Sequence, residues 1–421
     1  MEYWELKEQV KEKLAVPQEF DGSRNLLELG LSSIKIMRLV NQWRKQGIRV
    51  SFGALMEEPM LDRWWMLMEK GGNHSAQMNE IKKEESGKVA EIHKPFPLTD
   101  VQYAYKIGRA DGEELGGIGC HAYLEFDGLE ISAERLENAW NIVQNHHPML
   151  KSRFSENGQQ EIMEAPYEEH ITVKDLRGCP DPESALEKIR DGLSHRKLKV
   201  EDGQVAGITL SLLPDGKARI HFDLDLLVAD VLSLQIILRD LASAYAGKAL
   251  PKASGNWSFA AYLEEQEKED REGWEKARDY WRKREEDFPV GPDLPLAKHP
   301  SEVTRTKFTR RIVFIERKEW DHLQEKAAKC QATPAMLLLS AYAMVLERFS
   351  KSKRFLINIP FFNRKTEYEG LEDAVADFTT LLLLEVDMRK KQTFREVLGM
   401  IQSQMHRDMK YTMYSGVQVQ R

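Results

Sequence analysis

Residues 71–94, GGNHSAQMNEIKKEESGKVAEIHK, divide the 421-residue chain. This stretch has a glycine pair, mixed charge and few apolar side chains. It cannot bury enough surface to offset the entropy of ordering it, which predicts a linker. The segments on either side must therefore fold separately. Residues 1–70 read as a compact helical pattern ending in the aromatic run Leu61-Asp62-Arg63-Trp64-Trp65-Met66. From Pro95 the pattern changes to short β-rich runs alternating with amphipathic ones. Strands are predicted at His121–Phe126, Ile208–Leu213, Arg219–Asp225, Phe308–Phe314, Phe355–Ile359 and Leu381–Val386. A helix is predicted over Ser132–Asn145, where Leu136, Ala139, Trp140 and Val143 recur at helical spacing behind a serine N-cap. Strands mixed with helices over so many residues predict a large α/β or α+β unit in two lobes, placed here at 95–270 and 271–421. Polar, proline-bearing stretches at 176–183 and 285–303 read as connections. The chain has no internal repeat of solenoid period.

Composition narrows the function. Acids outnumber bases 68 to 61, for a formal net charge of −7. A chain that bound nucleic acid or an anionic membrane mainly through charge would carry a basic excess. No apolar run approaches the roughly 20 residues of a membrane span, and the charged start MEYWELKEQVKEKL is not a secretory signal. Cys120, Cys179 and Cys330 are odd in number and far apart, which excludes a disulfide framework or a CxxC zinc site. No metal ligand set is expected, and the chain reads as cytoplasmic.

In the first segment the informative stretch is Leu26-Leu27-Glu28-Leu29-Gly30-Leu31-Ser32-Ser33-Ile34-Lys35-Ile36-Met37-Arg38-Leu39-Val40. Gly30 allows a sharp turn, and a helix begins near Ser33 with Ile34, Met37 and Val40 on one face. A serine there can act simply as an N-cap. The whole stretch, however, resembles the carrier-protein motif of nonribosomal peptide synthetases, in which a serine receives 4′-phosphopantetheine. The resemblance implies a small all-α, four-helix domain with the arm on Ser33. A phosphodiester at a helix N-terminus would face free N–H groups and the positive end of the dipole. Asn41-Gln42-Trp43-Arg44, Val50-Ser51-Phe52 and Trp64-Trp65 look more like an aryl carrier than a peptidyl one. The family usually has Asp before the modified serine, where this chain has Ser32.

In the second segment three stretches carry the signal: Pro95–Arg109, which reads PFPLTDVQYAYKIGR; His221–Ser233, which reads HFDLDLLVADVLS; and Asn358–Arg364, which reads NIPFFNR, with Asp377-Phe378-Thr379-Thr380 after it. Together they resemble the heterocyclization domain of nonribosomal peptide synthetases, a variant of the condensation domain in which DxxxxDxxS replaces HHxxxDG. The match falls on Asp225, Asp230 and Ser233, the candidate catalytic residues. It extends through Asn145–Leu150, Ser194-His195-Arg196, Ala277–Trp281 and Thr333-Pro334 to Ser415-Gly416-Val417. The implied fold is α/β, two-lobed and chloramphenicol-acetyltransferase-like.

The residues themselves leave two roles open. Asp230 sits at a predicted N-cap, and Asp225 at a strand end where it can pair with an arginine. Each is therefore either a proton carrier or a support of the tunnel. His146-His147 imitates half a condensation motif, but Pro148-Met149-Leu150 follows it, so a packed or capping role is expected. Cys120 reads as a buried thiol, and Gly116-Gly117-Ile118-Gly119 lacks the context of a phosphate loop.

The resemblance implies an aryl acid carried on Ser33, condensed with the amine of a carrier-bound cysteine, serine or threonine and closed to a thiazoline or oxazoline. The order of domains matches siderophore synthetases of the pyochelin and yersiniabactin type. Implied partners are a phosphopantetheinyl transferase, an aryl-adenylating enzyme and a downstream loaded carrier. In the family the second lobe continues past the Ser-Gly-Val segment, through parts credited with cyclodehydration. The second lobe is therefore expected to be incomplete here, with cyclization by this chain weak or absent and condensation left open. Two alternatives remain: a carrier and docking module without catalysis, and a plain amide-forming acyltransferase.

Overall fold

The computed structural model describes residues 2–14, 19–27, 29–31, 35–36, 39–40, 42–43, 46, 48, 50, 55, 58–69, 93–251, 258–269, 271–362, 364, 371–390 and 392–421. The expected linker lies outside these residues from 71 to 92, as does Ser33.

The first segment opens with helix α1 (Tyr3–Lys13), closed at its start by a capping box between Glu2 and Glu5. Its buried Leu6 and Val10 join Leu26, Leu39, Trp43 and Trp64 in one apolar core. The tryptophans meet edge to face at 6.1 Å. Each indole N–H finds an acceptor, Gln9 Oε1 for Trp43 at 2.6 Å and the Leu55 carbonyl for Trp64 at 2.9 Å, as buried indoles require. Gly30 adopts φ 88°, the left-handed turn expected of it, and Leu31 behind it is buried. Residues 61–69 form a closing helix.

The second segment is built on a four-stranded sheet. Its strands are β2 (His121–Leu129), β5 (Thr172–Asp175), β6 (Ala206–Leu212) and β7 (Lys217–Asp225), in the order β2-β7-β6-β5. A small sheet of β1 (Phe96–Pro97), β4 (Gln159–Ile162) and β3 (Ser152–Phe154) lies beside it. Helix α2 (Asp100–Gly108) starts in a capping box between Thr99 and Gln102. Helix α3 (Ala133–His146) has the predicted Ser132 cap and buries Leu136, Ala139, Trp140 and Val143, the face its periodicity predicts. Helix α4 (Pro182–Ser194) links the parallel pair β5 and β6. Helix α5 (Val231–Tyr245) begins at Asp230 as expected and packs with α3 on the sheet.

Helices α6 (Phe259–Glu269), α7 (Arg271–Glu285), α8 (Arg317–Lys329) and α9 (Pro334–Phe349) follow. Thr333 caps α9 with Pro334 in its first turn, where a missing N–H costs nothing. Strands β8 (Arg354–Phe362) and β9 (Thr379–Asp387) pair antiparallel from Arg354 opposite Asp387 to Phe362 opposite Thr379. Helix α10 (Phe394–Asp408) and the short α11 (Gly416–Gln420) end the chain. Leu382, Leu383, Leu384 and Val386 of β9 are all buried, the continuous apolar run of a strand covered on both faces. The stretch Leu371–Phe378 joins the core of the four-stranded sheet, tying the two sheets together.

One expectation is corrected. Phe308–Phe314 is not a strand. Its β-rich sequence pairs with no described strand and leaves Phe308, Val313 and Phe314 at 67%, 88% and 86% exposed. β propensity reports fitness for a pleated, half-buried surface, and without a neighbouring strand it forms no ladder.

Candidate functional site

Asp225 ends β7, opposite His121 in β2. Pairing on both sides of β7 fixes the carboxylate at the sheet end, where it is completely buried. Arg109, just past α2, donates through Nη1 to Asp225 Oδ2 and through Nη2 to the Leu198 carbonyl. The Leu227 N–H donates to Oδ1 at 3.1 Å. Burial pushes the Asp225 carboxyl above its ordinary range even against the attraction of Arg109. The fit depends on Gly119: a Cβ there would stand 2.5 Å from Arg109 Nη1 and 3.1 Å from Asp225 Oδ2. Beside this pair Arg196 forks onto Asp223 at 2.5 and 2.6 Å. His121 Nε2, 3.7 Å from Asp223 Oδ2, makes no hydrogen bond.

Asp230 and Ser233 form a second buried knot at the start of α5. Asp230 caps the helix by accepting from the Ser233 N–H at 2.7 Å. Arg364 lies across both residues, with Nη2 donating at 2.8 Å to Asp230 Oδ1 and to Ser233 Oγ, and Nε at 3.2 Å to Asp230 Oδ2. Its remaining Nη1 donates to the carbonyls of Leu371 and Ala374, and the guanidinium stacks 4.3 Å from the Phe378 ring. Ser233 Oγ donates to the Ala376 carbonyl at 2.8 Å and accepts from the Ala376 N–H at 3.1 Å. The motif's second Asp and its Ser are thus committed to holding the segment before β9 against the start of α5. Ser233 Oγ has its proton and both lone pairs engaged, and buried Asp230 accepts three bonds within the protein.

That segment delivers Asp377, to which no sequence pattern assigns a role. Asp377 is fully buried, its Oδ1 accepts from the Thr379 N–H at 3.0 Å, and its Oδ2 has no partner. Burial raises its carboxyl to about 7. Cys120 feels the charges of both Asp225 and Asp377, and Tyr105 that of Asp377. Burial with the charge of Asp377 raises the Tyr105 hydroxyl. Cys120 was expected to be buried and is half-buried instead; desolvation and the two carboxylate charges push its thiol up to about 11, so it is protonated at neutral pH. Arg109 and Arg364 lie in motif segments. Their function as counter-ions becomes visible only once distant segments meet.

His146, His147 and Asp240 bring potential metal-ligand atoms within 4.8 Å of one another. His147 Nε2 already bonds Asp240 Oδ2 at 2.9 Å, and Arg239 takes Asp240 Oδ1 at 2.8 Å. The carboxylate is therefore neutralised, and the histidine pair serves packing at the end of α3, the role expected for it. A cavity of about 700 Å³ lies elsewhere, between α9 and β8, lined by Phe288, Val290, Tyr342, Leu346 and Ile357. Asp225, Asp230 and Ser233 are not among its lining residues.

Ser33 lies outside the described residues, together with Ser32 and Ile34. On either side of them Gly30 turns the chain and Lys35 and Ile36 are already helical. These flanks fit a prosthetic phosphate held at a helix start.

The chain matches two family models: Phosphopantetheine attachment site over residues 4–64 and Condensation domain over residues 119–418. It is 33% identical over 423 residues to phenyloxazoline synthase MbtB of Mycolicibacterium paratuberculosis, covering 99% of this chain and 36% of that protein. It is 34% identical to pyochelin synthetase PchE of Pseudomonas aeruginosa, covering 97% of this chain and 28% of that one. The chain thus spans about a third of the length of these relatives. Among solved structures, the EpoB cyclization-docking bidomain from Sorangium cellulosum superposes with TM-score 0.72 at 30% identity, over 79% of this chain and 67% of that one. The first condensation domain of the calcium-dependent antibiotic synthetase shares the fold at TM-score 0.60 and 17% identity, over 77% of this chain and 76% of that one.

Proposed function

Since the chain belongs to the condensation-domain family of nonribosomal peptide synthetases, with a phosphopantetheine attachment domain ahead of it, we propose that it condenses and cyclizes an aryl acid carried on its own prosthetic arm. The arm belongs on Ser33, where it supplies a thioester and the reach to present it. The carrier occupies residues 1–70 as a four-helix domain, and a linker over 71–94 leads to a two-lobed, chloramphenicol-acetyltransferase-like unit with lobes at 95–270 and 271–421. Partners are a phosphopantetheinyl transferase, an aryl-adenylating enzyme and a downstream carrier holding cysteine, serine or threonine.

The observation that carries this reading is the Asp225–Arg109 pair at the place where ordinary condensation domains keep histidine. Condensation needs little beyond orientation, because a thioester is already activated and both reactants are tethered. The buried arginine and carboxylate shape the sheet end without offering a free base. The Asp230–Ser233–Arg364 knot holds the segment ahead of β9 in register with it. In this reading the motif residues contribute by building the site, and proton transfer falls to other groups. The names of the relatives, a phenyloxazoline synthase and a pyochelin synthetase, support an aryl substrate, a five-membered ring and a siderophore-type product.

The test is to load a salicyl-phosphopantetheine group on Ser33, offer a cysteinyl carrier and follow the downstream product by mass. The expected product is salicyl-cysteinyl thioester, open or closed to the thiazoline. A fully loaded chain that transfers no acyl group would overturn the reading.

A further inference from the structure

The stretch between the two buried knots is gripped from a third direction. Leu226–Ala229 joins Asp225 at the end of β7 to Asp230 at the start of α5, and Leu227, Val228 and Ala229 have no solvent exposure. Connecting segments usually run over the surface, because a buried one must satisfy its backbone polar groups within the protein. The Leu226 N–H donates to the Cys120 carbonyl at 2.8 Å, and the Asp230 N–H to the Ala376 carbonyl at 3.2 Å. The Leu227 N–H goes to Asp225 Oδ1. The Leu227 carbonyl accepts from Gln102 Nε2 at 2.6 Å.

Gln102 stands in the first turn of α2 and is fully buried. A glutamine amide offers two donors and two acceptor lone pairs, and here all four are used. Besides the Leu227 carbonyl, Nε2 donates to Gln160 Oε1 at 3.1 Å. Oε1 accepts from the Thr99 N–H and from Gln160 Nε2, both at 2.9 Å. Gln160 of β4 is held in turn by the Pro97 carbonyl at 3.0 Å. Arg109 follows Gln102 by two helical turns, so both side chains leave α2 on one side. One helix thus grips the stretch at Leu227 and at Asp225, while Arg364 grips its far end at Asp230.

We propose that Gln102 is a positioning residue for acyl transfer. By fixing the Leu227 carbonyl it sets the spacing between the Asp225–Arg109 pair and the Asp230–Ser233–Arg364 knot. The proposal rests on the condensation reading above. With no exposed surface Gln102 meets no reactant, and it acts through the backbone that it holds. Tethered reactants depend on orientation, and a displacement of about 1 Å at a site costs about 100-fold in rate. Without the Gln102 donor the Leu227 carbonyl is buried and unpaired, and it regains a bond only if the stretch shifts.

The experiment compares the phosphopantetheinylated wild type with three variants. Q102E keeps the shape and the acceptor for Thr99 but, as a carboxylate, offers Leu227 no proton. Q102M keeps the length and removes every polar bond. Q160L breaks bonds in the same buried cluster yet leaves Gln102 its contact with Leu227, so it reports what lost stability alone does. Salicyl transfer is followed by mass at varied concentrations of cysteinyl carrier. Amide hydrogen exchange of the unloaded chain is followed in the peptide spanning 226–230, and urea unfolding gives the stability of each variant. Q102E and Q102M should lower kcat about 100-fold with KM for the carrier unchanged, and exchange in that peptide should quicken about tenfold. Q160L should unfold at lower urea but keep most of its turnover. Should Q102M not fold, Q102E carries the test. Wild-type turnover in Q102E, or a fall in Q160L as deep as in Q102E, overturns the role, the second because stability alone would then explain the loss. A wild type that transfers no acyl group overturns the condensation reading and the rate effect with it. The exchange data need no substrate, and unchanged exchange in Q102E overturns the positioning whatever the reaction does.

Discussion

Replacing Arg364 with methionine removes one guanidinium and strips five acceptor contacts. Asp230 loses donors at 2.8 and 3.2 Å, Ser233 Oγ loses one at 2.8 Å, and the carbonyls of Leu371 and Ala374 lose theirs. Both charged side chains are essentially without solvent contact, at 2% and 0% exposure, so water cannot replace what is lost. Breaking a buried pair from one side costs about 3–5 kcal/mol, because the surviving charge stays buried without compensation. The orphaned carbonyls raise the figure. Against a typical total of about 5–15 kcal/mol this is a large share. The assay is urea unfolding followed by tryptophan fluorescence, for R364M, D230N and the double variant. R364M should lose about 3–5 kcal/mol, and the double variant clearly less than the sum of the single changes, a coupling that marks direct contact. A loss under about 1 kcal/mol for R364M, or strict additivity, would refute the claim that this knot holds the β9 segment to α5.

Three further outcomes are expected. Gly119→Ala forces a methyl group against Arg109 Nη1, whose side chain is pinned by Asp225 and Leu198, and should cost about 1–3 kcal/mol in chemical denaturation; an unchanged midpoint would show that Arg109 can move aside. Asp377 has a folded-state carboxyl raised to about 7 against roughly 4 when unfolded, so the unfolded chain ionises first and stability falls as pH rises from about 4 to 7. D377N should flatten that slope, and a wild-type stability that rose over the interval would contradict the sign. Cys120, with its thiol held up at about 11, should resist iodoacetamide at pH 7 and react faster as pH is raised, read by peptide mass; rapid alkylation at neutral pH would show an exposed thiolate instead.

What the sequence made legible was local. The caps at Ser132, Asp230 and Thr333 each lie within three residues of the N–H they satisfy, so the starts of α3, α5 and α9 could be read directly. The turn at Gly30 belongs to the same class, since its left-handed φ is a property of one residue. Phe308–Phe314 forms no strand because a β-rich composition does not supply the strand that must lie beside it. The counter-ions were hidden for a related reason. Arg109 stands 116 residues from Asp225 and Arg364 stands 134 from Asp230, and no local pattern says which arginine will meet which acid. Asp377 was hidden most deeply. Its distinguishing property, a carboxyl oxygen with no partner, exists only after α2, the start of α5 and β9 have closed around it.

The measurement closest to the centre of the account is the intact mass of the chain after incubation with a phosphopantetheinyl transferase and coenzyme A, beside Ser33→Ala. The wild type should gain the mass of one phosphopantetheinyl group, localised by peptide mapping to the segment containing Ser33, and S33A should gain nothing. A wild type that stays at its unmodified mass, or an S33A chain that is modified equally well, would contradict the carrier assignment from which the proposed chemistry follows.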